Sequence, residues 1–188
     1  MMNDIIDKLN FDLLDQYAEK TLMDGSSGKY FNYYWSFTEN DIKTTLFGNK
    51  RNRFVMWQIP PPPVFFKIYK EYHPNGYLKV KGKRMGGGAT MIGEWEYYDE
   101  LGQLISKKDE DKKFSKFGYN ELLLFLHQQG HINLETGENR EDVDFGYDVE
   151  KKEWGVYAVS KSYWTTEMVI DGETGAIKSQ KEYQGGII

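Results

Sequence analysis

The spacing of apolar residues changes repeatedly along the chain, and each change marks an element. Ile5, Ile6, Leu9, Leu13, Leu14 and Tyr17 recur at helical intervals, with Asn3 or Asp4 placed to cap and Gly25 beyond the end. This predicts an amphipathic helix over residues 4–20 whose apolar stripe lies on a sheet. "KYFNYYWSF" (29–37) and "RFVMWQI" (53–59) are aromatic and β-branched runs bounded by Gly and Asn, hence strands, with a short strand or turn between them. "IPPPP" (59–63) stops the sheet, because proline has no N–H for a ladder; it reads as a stiff crossover.

"FFKIYKEY" (65–72), "GYLKVKGK" (76–83), "MIGEWEYY" (91–98) and "GQLISKK" (102–108) alternate with turn signals and predict an antiparallel meander. "KKDEDKKFSK" (107–116) is charge-dense and nearly free of apolar residues, the clearest boundary in the chain. Beyond it "YNELLLFLHQQG" (119–130) predicts a helix, capped by Asn120 or Ser115 and ended at Gly130. In "DVDFGYDV" (142–149), Val143, Phe145, Tyr147 and Val149 face one way and Asp142, Asp144 and Asp148 the other; "EWGVYAVS", "YWTTEMVI" and "AIKSQKEY" follow as further strands.

The expected fold is therefore α+β: an N-terminal helix with an antiparallel meander (residues 1–108), then a helix with a three- to four-stranded antiparallel sheet (residues 109–188), the two standing as separate domains or as one continuous domain.

The meander nearly repeats itself at an offset of 26 residues: Tyr69 matches Trp95, Tyr72 matches Tyr98, Gly76 matches Gly102, and Leu78 matches Leu104. Each unit reads as a strand end, a turn whose glycine supplies positive φ, and a strand start. Pro74, Asn75, Gly76, Leu78 and Lys79, then Gly93, Glu94, Trp95, Tyr97, Tyr98, Gly102 and Leu104, resemble the bacterial variant of the MORN repeat over residues 69–108. His73 stands where that repeat usually has a second aromatic, and Leu101 where it has Asn. The resemblance implies a scaffold without catalytic residues, in a family often labelled as antitoxins. Residues 117–183 resemble, more weakly, the PepSY-like helix-plus-sheet arrangement, with "VIDGETGAI" (169–177) similar to its terminal hairpin. Those domains usually lie outside the cytoplasm. A turn opened by Asp171 and closed by Gly175 accounts for the same residues.

Aromatics make up 16 % of the chain, more than a core needs, which suits cross-strand ladders and binding surfaces. A formal charge of −5 argues against general nucleic-acid binding and suits solubility or a basic partner. Cysteine is absent, which excludes disulfides, thiol nucleophiles and Cys-ligated zinc. The first twenty residues lack the basic and apolar regions of a signal peptide, and no apolar run is long enough to span a bilayer. The expectation is a cytoplasmic protein; a leader trimmed from upstream would make it periplasmic or surface-exposed.

The usual signatures of chemistry are incomplete. His127 and His131 have the i, i+4 spacing of metal ligands but no glutamate follows His127, and Gly130 ends the helix between them. "RMGGGAT" (84–90) lacks the Lys-Ser/Thr ending of a phosphate loop. Glu94 and Glu96 share a strand face, whereas catalytic carboxylates usually face one another across a cleft. No Gly-x-Ser-x-Gly elbow occurs, and "DVDFGYD" is not a calcium loop. No metal, cofactor or catalytic residue is expected.

What remains is a partner-binding cluster: Asp142, Asp144, Asp148, Glu150 and Glu153, with Tyr157 and Tyr163 nearby, the makings of an acidic rim with aromatic anchors for a basic protein. The leading expectation is a non-enzymatic immunity or antitoxin-like protein that occludes a toxin. The alternative is an envelope or surface protein that binds glycan or peptide through exposed aromatics.

Overall fold

The computed structural model describes residues 8–85, 87, 90–160 and 162–184. The element order is α1 (Phe11–Tyr17), β1 (Glu19–Gly25), β2 (Gly28–Glu39), β3 (Ile42–Gly48), β4 (Phe54–Ile59), β5 (Phe66–Tyr72), β6 (Leu78–Met85), β7 (Thr90–Tyr98), β8 (Leu104–Asp109), α2 (Tyr119–Gln128), β9 (Val143–Asp148), β10 (Glu153–Val159), β11 (Trp164–Asp171) and β12 (Ile177–Gln184). Strands β1 to β8 form one sheet in chain order and β9 to β12 a second. Among the described residues no helix is long and apolar enough to cross a membrane.

This corrects the expected α+β class. Among the described residues the protein is mostly antiparallel sheet, twelve strands in two sheets, and its two α-helices are short, of seven and ten residues. The reason lies at the N-terminus. Asn10 caps α1: its side-chain oxygen accepts from the N–H groups of Asp12 (2.9 Å) and Leu13 (3.2 Å), so the helix starts at Phe11 and has seven residues. The expected caps Asn3 and Asp4, like Ile5 and Ile6, lie outside the described residues. From Glu19 the chain is β1, an exposed edge strand held by its ladder to β2.

By internal contacts the residues divide into two units. One comprises residues 1–61, 67–83 and 93–109, the other 62–66, 84–92 and 110–188. Within the first, Leu9 and Leu14 from the α1 region pack with Tyr33, Leu46, Phe54, Met56, Tyr72 and Leu78. Tyr17 stacks on Trp35 with ring centroids 5.9 Å apart.

The 26-residue repeat is visible as two matching turns. His73 N–H donates to the Tyr77 carbonyl and Gly76 N–H to that of His73; Asp99 to Gln103 and Gly102 to Asp99 repeat the scheme. Gly76 (φ 89°) and Gly102 (φ 80°) hold the left-handed positions both turns require. The rings of Tyr69 and Trp95, equivalent in the two units, stack at 5.8 Å, and Trp57 meets Tyr69 edge-on at 4.9 Å. Trp95 is fully buried against Gly82, where a β-carbon would lie 2.2 Å from the indole.

The second unit centres on Trp154, which is wholly buried. Its Nε1 donates to the Phe117 carbonyl at 2.8 Å, Phe114 stacks on it at 5.1 Å, and Tyr147 lies 4.8 Å away. Phe114 comes from the charge-dense 107–116 segment, whose Glu110–Lys113 forms a 3-10 turn. α2 buries Leu122 and Leu126 against Val143, Phe145, Val156, Met168 and Ile170. Its cap is Gly118, whose N–H donates to Glu121 Oε2 at 3.0 Å, rather than Asn120 or Ser115; Ser115 instead accepts from the Tyr147 hydroxyl.

Gly82→Ala drives a methyl group into the Trp95 ring and is expected to destabilise the protein by about 1–3 kcal/mol, the ordinary cost of overpacking a filled site. Urea unfolding followed by tryptophan fluorescence measures it.

Candidate binding surfaces

The register of β9 to β12 assigns their two faces. Trp154, Val156, Ala158, Met168 and Ile170 point inward and are buried. The residues between them point outward in rows: Asp144, Tyr157, Glu167 and Lys181 across the four strands; then Gly146, Gly155, Val169 and Ser179; then Asp148, Glu153 and Asp171. Of the sequence-predicted residues, Asp144, Asp148, Glu153 and Tyr157 therefore share one face. Asp142 precedes β9, Glu150 lies in the turn after it, and Tyr163 lies in the turn before β11, exposed and at positive φ.

Two of these carboxylates have structural duties. Asp144 Oδ1 accepts from the Gly87 N–H (2.6 Å) and from that of Phe145 (2.9 Å). Asp148 Oδ1 caps the following turn through the N–H groups of Glu150 and Lys151, both at 3.0 Å, and its pKa is lowered chiefly by the Lys151 backbone bond. Lys178 bridges Glu153 (3.0 Å) and Asp171 (2.8 Å), and with the turn donors of Thr174 holds the Asp171 carboxyl well below the usual range. Tyr157 is 47 % exposed, and its hydroxyl reaches Glu167 at 3.5 Å. Glu167 and the facing pair Gly146–Gly155 were not singled out by sequence, and Asp171 was read only as the opening residue of a turn. Single-strand alternation could have found Glu167 and Asp171, but only the register places them beside Tyr157 and Glu153 of β10.

In the first unit, two hollows flank Tyr33. One, of about 310 Å³, is lined by Asn32, Phe47, Asn49, Asn52, Arg53 and Val55 among others; the second, of about 350 Å³, by Tyr30, Phe31, Lys50 and Arg51. Asn49 builds the loop between β3 and β4, accepting from the N–H groups of Arg51 and Asn52 and donating to Asn32. Arg51 stacks on Tyr30 and donates to the carbonyls of Ser27 and Lys29. Phe31, Tyr34 and Phe47 stay 42–48 % exposed, a feature that aromatic content alone did not locate.

The remaining motifs have local explanations. Glu96 accepts from Lys81 (2.6 Å), Tyr98 (2.5 Å) and Lys107 (2.9 Å), and Glu94 from Lys107 (2.7 Å), so this carboxylate pair belongs to a cross-strand ion network. The Leu134 N–H donates to His127 Nδ1 at 3.4 Å, while burial lowers the pKa of His131. Among the described residues no group of three or more His, Cys, Asp or Glu converges as metal ligands would.

No family model matches the chain, and no curated protein or solved structure matches it either.

Bonds from Lys81, then Tyr98 and Lys107, lower the Glu96 pKa from 4.5 to about 2. A depressed folded-state pKa stabilises above the unfolded value and loses that contribution as pH falls through the folded one. Stability is therefore expected to drop between pH 4.5 and 2, and Glu96→Gln to flatten that part of the profile. Denaturant midpoints measured across this range, wild type against variant, check it.

Proposed function

We propose that this chain is a non-catalytic protein-binding module of the immunity or antitoxin kind, which covers a basic surface of its partner with the outer face of β9 to β12. The observation that carries this reading is the make-up of that face. Asp144, Asp148, Glu153, Glu167 and Asp171 stand there against Lys178 and Lys181, with half-exposed Tyr157 among them. Charge is also unevenly divided along the chain. The second unit holds 10 Lys and Arg against 15 Asp and Glu, a difference equal to the whole formal charge of −5. A cationic partner is steered toward such a surface, and an aromatic ring at its centre supplies the anchor that rim charges do not. The resemblance of residues 69–108 to the antitoxin-labelled repeat points the same way.

The hollows beside Tyr33 favour a second reading, the binding of a glycan or extended peptide, with exposed Phe47 and the amides of Asn32 and Asn52 lining one hollow and exposed Phe31 lining the other. Aromatic faces and side-chain amides suit either ligand.

The two readings separate by mutation. Affinity capture with intact-complex mass spectrometry is expected to return a stoichiometric basic protein. Tyr157→Ala should weaken that complex about 10–30-fold, the usual loss at an aromatic anchor, and Glu153→Lys with Glu167→Lys should abolish it. Asp144 and Asp148 are unsuitable for charge reversal because they hold turns. A complex that survives both changes and is lost in Phe47→Ala sinks the acidic-face reading in favour of the second.

A further inference from the structure

Several glycines in the second unit are dictated by the chain itself. A β-carbon on Gly172 would lie 2.6 Å from the Lys152 carbonyl oxygen, one on Gly175 2.4 Å from the Phe117 ring, and one on Gly137 2.8 Å from Pro62. Gly146 and Gly155 differ. They face one another across β9 and β10, neither takes a left-handed φ, and a β-carbon on either would have no atom within 4 Å. Mid-strand glycine weakens a sheet and is found where a bulge, a bend or a close external approach requires it. Here the pairing of β9 with β10 runs without a register shift.

These two positions form the floor of a notch on the outer face. Asp144 and Tyr157 stand two residues along on one side, Asp148 and Glu153 two residues along on the other, and Val169, opposite Gly155, closes the back. Four residues of strand separate the side walls by about 13 Å, and the two floor strands lie about 4.8 Å apart. β9 is the edge of its sheet, so the notch has a fourth side without a strand. Its walls carry three carboxylates and one tyrosine.

We infer that this notch receives an arginine side chain from the basic partner, its aliphatic stem across Gly146 and Gly155 and its guanidinium against the Tyr157 ring and the neighbouring carboxylates. The inference rests on the proposed function and gives it a specific anchor. Charge complementarity selects a cation. The planar guanidinium both stacks on an aromatic face and forks onto carboxylates, whereas a lysine ammonium is a point charge. A side chain at either glycine would occupy the space the stem needs.

The test is titration of the full chain with nona-arginine and nona-lysine peptides by calorimetry, with Tm recorded for each variant. Wild type is expected to bind nona-arginine more tightly. Gly155→Val should weaken nona-arginine about tenfold, erase the preference and leave Tm unchanged or higher, since valine favours strands. Gly155→Ala, a smaller change, should lie between. Glu153→Lys with Glu167→Lys should weaken both peptides. If Gly155→Val and Gly155→Ala bind nona-arginine as wild type does while charge reversal still weakens it, the notch is overturned and the acidic face stands. If no variant differs from wild type, both fall. Equal wild-type affinity for the two peptides overturns the choice of arginine.

Discussion

A large aromatic ring comes closest to a sheet where the strand beneath it carries no side chain, and the first unit is arranged around one such contact. Gly82 leaves the space in which Trp95 is buried, and Trp95 in turn gives Tyr69 a face to stack on, with Trp57 edge-on beyond it. The four residues come from four consecutive strands, so their contacts couple the strands laterally as well as through the backbone ladder. The second unit solves a related problem differently. Trp154 is buried by rings that the chain brings to it, Phe114 and Tyr147, and its one polar atom is satisfied by the Phe117 carbonyl. In both units a buried tryptophan fixes the strands around it, and the outward positions are left to charge and exposed rings.

Much of the strand content was legible because it is recorded in alternation and turn residues. β2, β4 and the meander from β5 to β8 fall on the runs that Gly, Asn and Pro delimit. β1 was hidden for a physical reason. Every one of its residues is exposed, so no face of it carries an apolar signal, and its existence depends on pairing with β2. The helical stripe was real from Leu13 to Tyr17, but α1, capped by Asn10, has only seven residues, and Leu9 lies before it. The α+β class followed from giving a helix to each half; α1 and α2 both exist, but they are short beside twelve strands.

The candidate surface was legible in part. Alternation in "DVDFGYDV" exposed the acidic positions, but it could not say that Asp144 is engaged by Gly87, because that contact joins segments 57 residues apart. Nor could it bring Glu167 beside Tyr157, which takes the register of β10 with β11. A run of like charges in sequence thus proved to mix carboxylates that hold turns with carboxylates that face outward. The glycines behave similarly: Gly82, Gly155 and Gly175 look alike in sequence, and only the space around each tells them apart.

The two repeat turns also differ in one informative respect. Asn75 accepts from the Tyr77 N–H and extends its amide to the Glu100 carbonyl of the next turn, at 2.8 Å. At the equivalent place the second turn has Leu101, 71 % exposed, and the capping passes to Asp99, which takes the N–H groups of Leu101 and Gln103 for itself. The asparagine thus couples its turn to the next one, whereas the aspartate keeps its bonds within its own turn, so the first turn cannot move without the second, while Leu101 offers no side-chain bond onward.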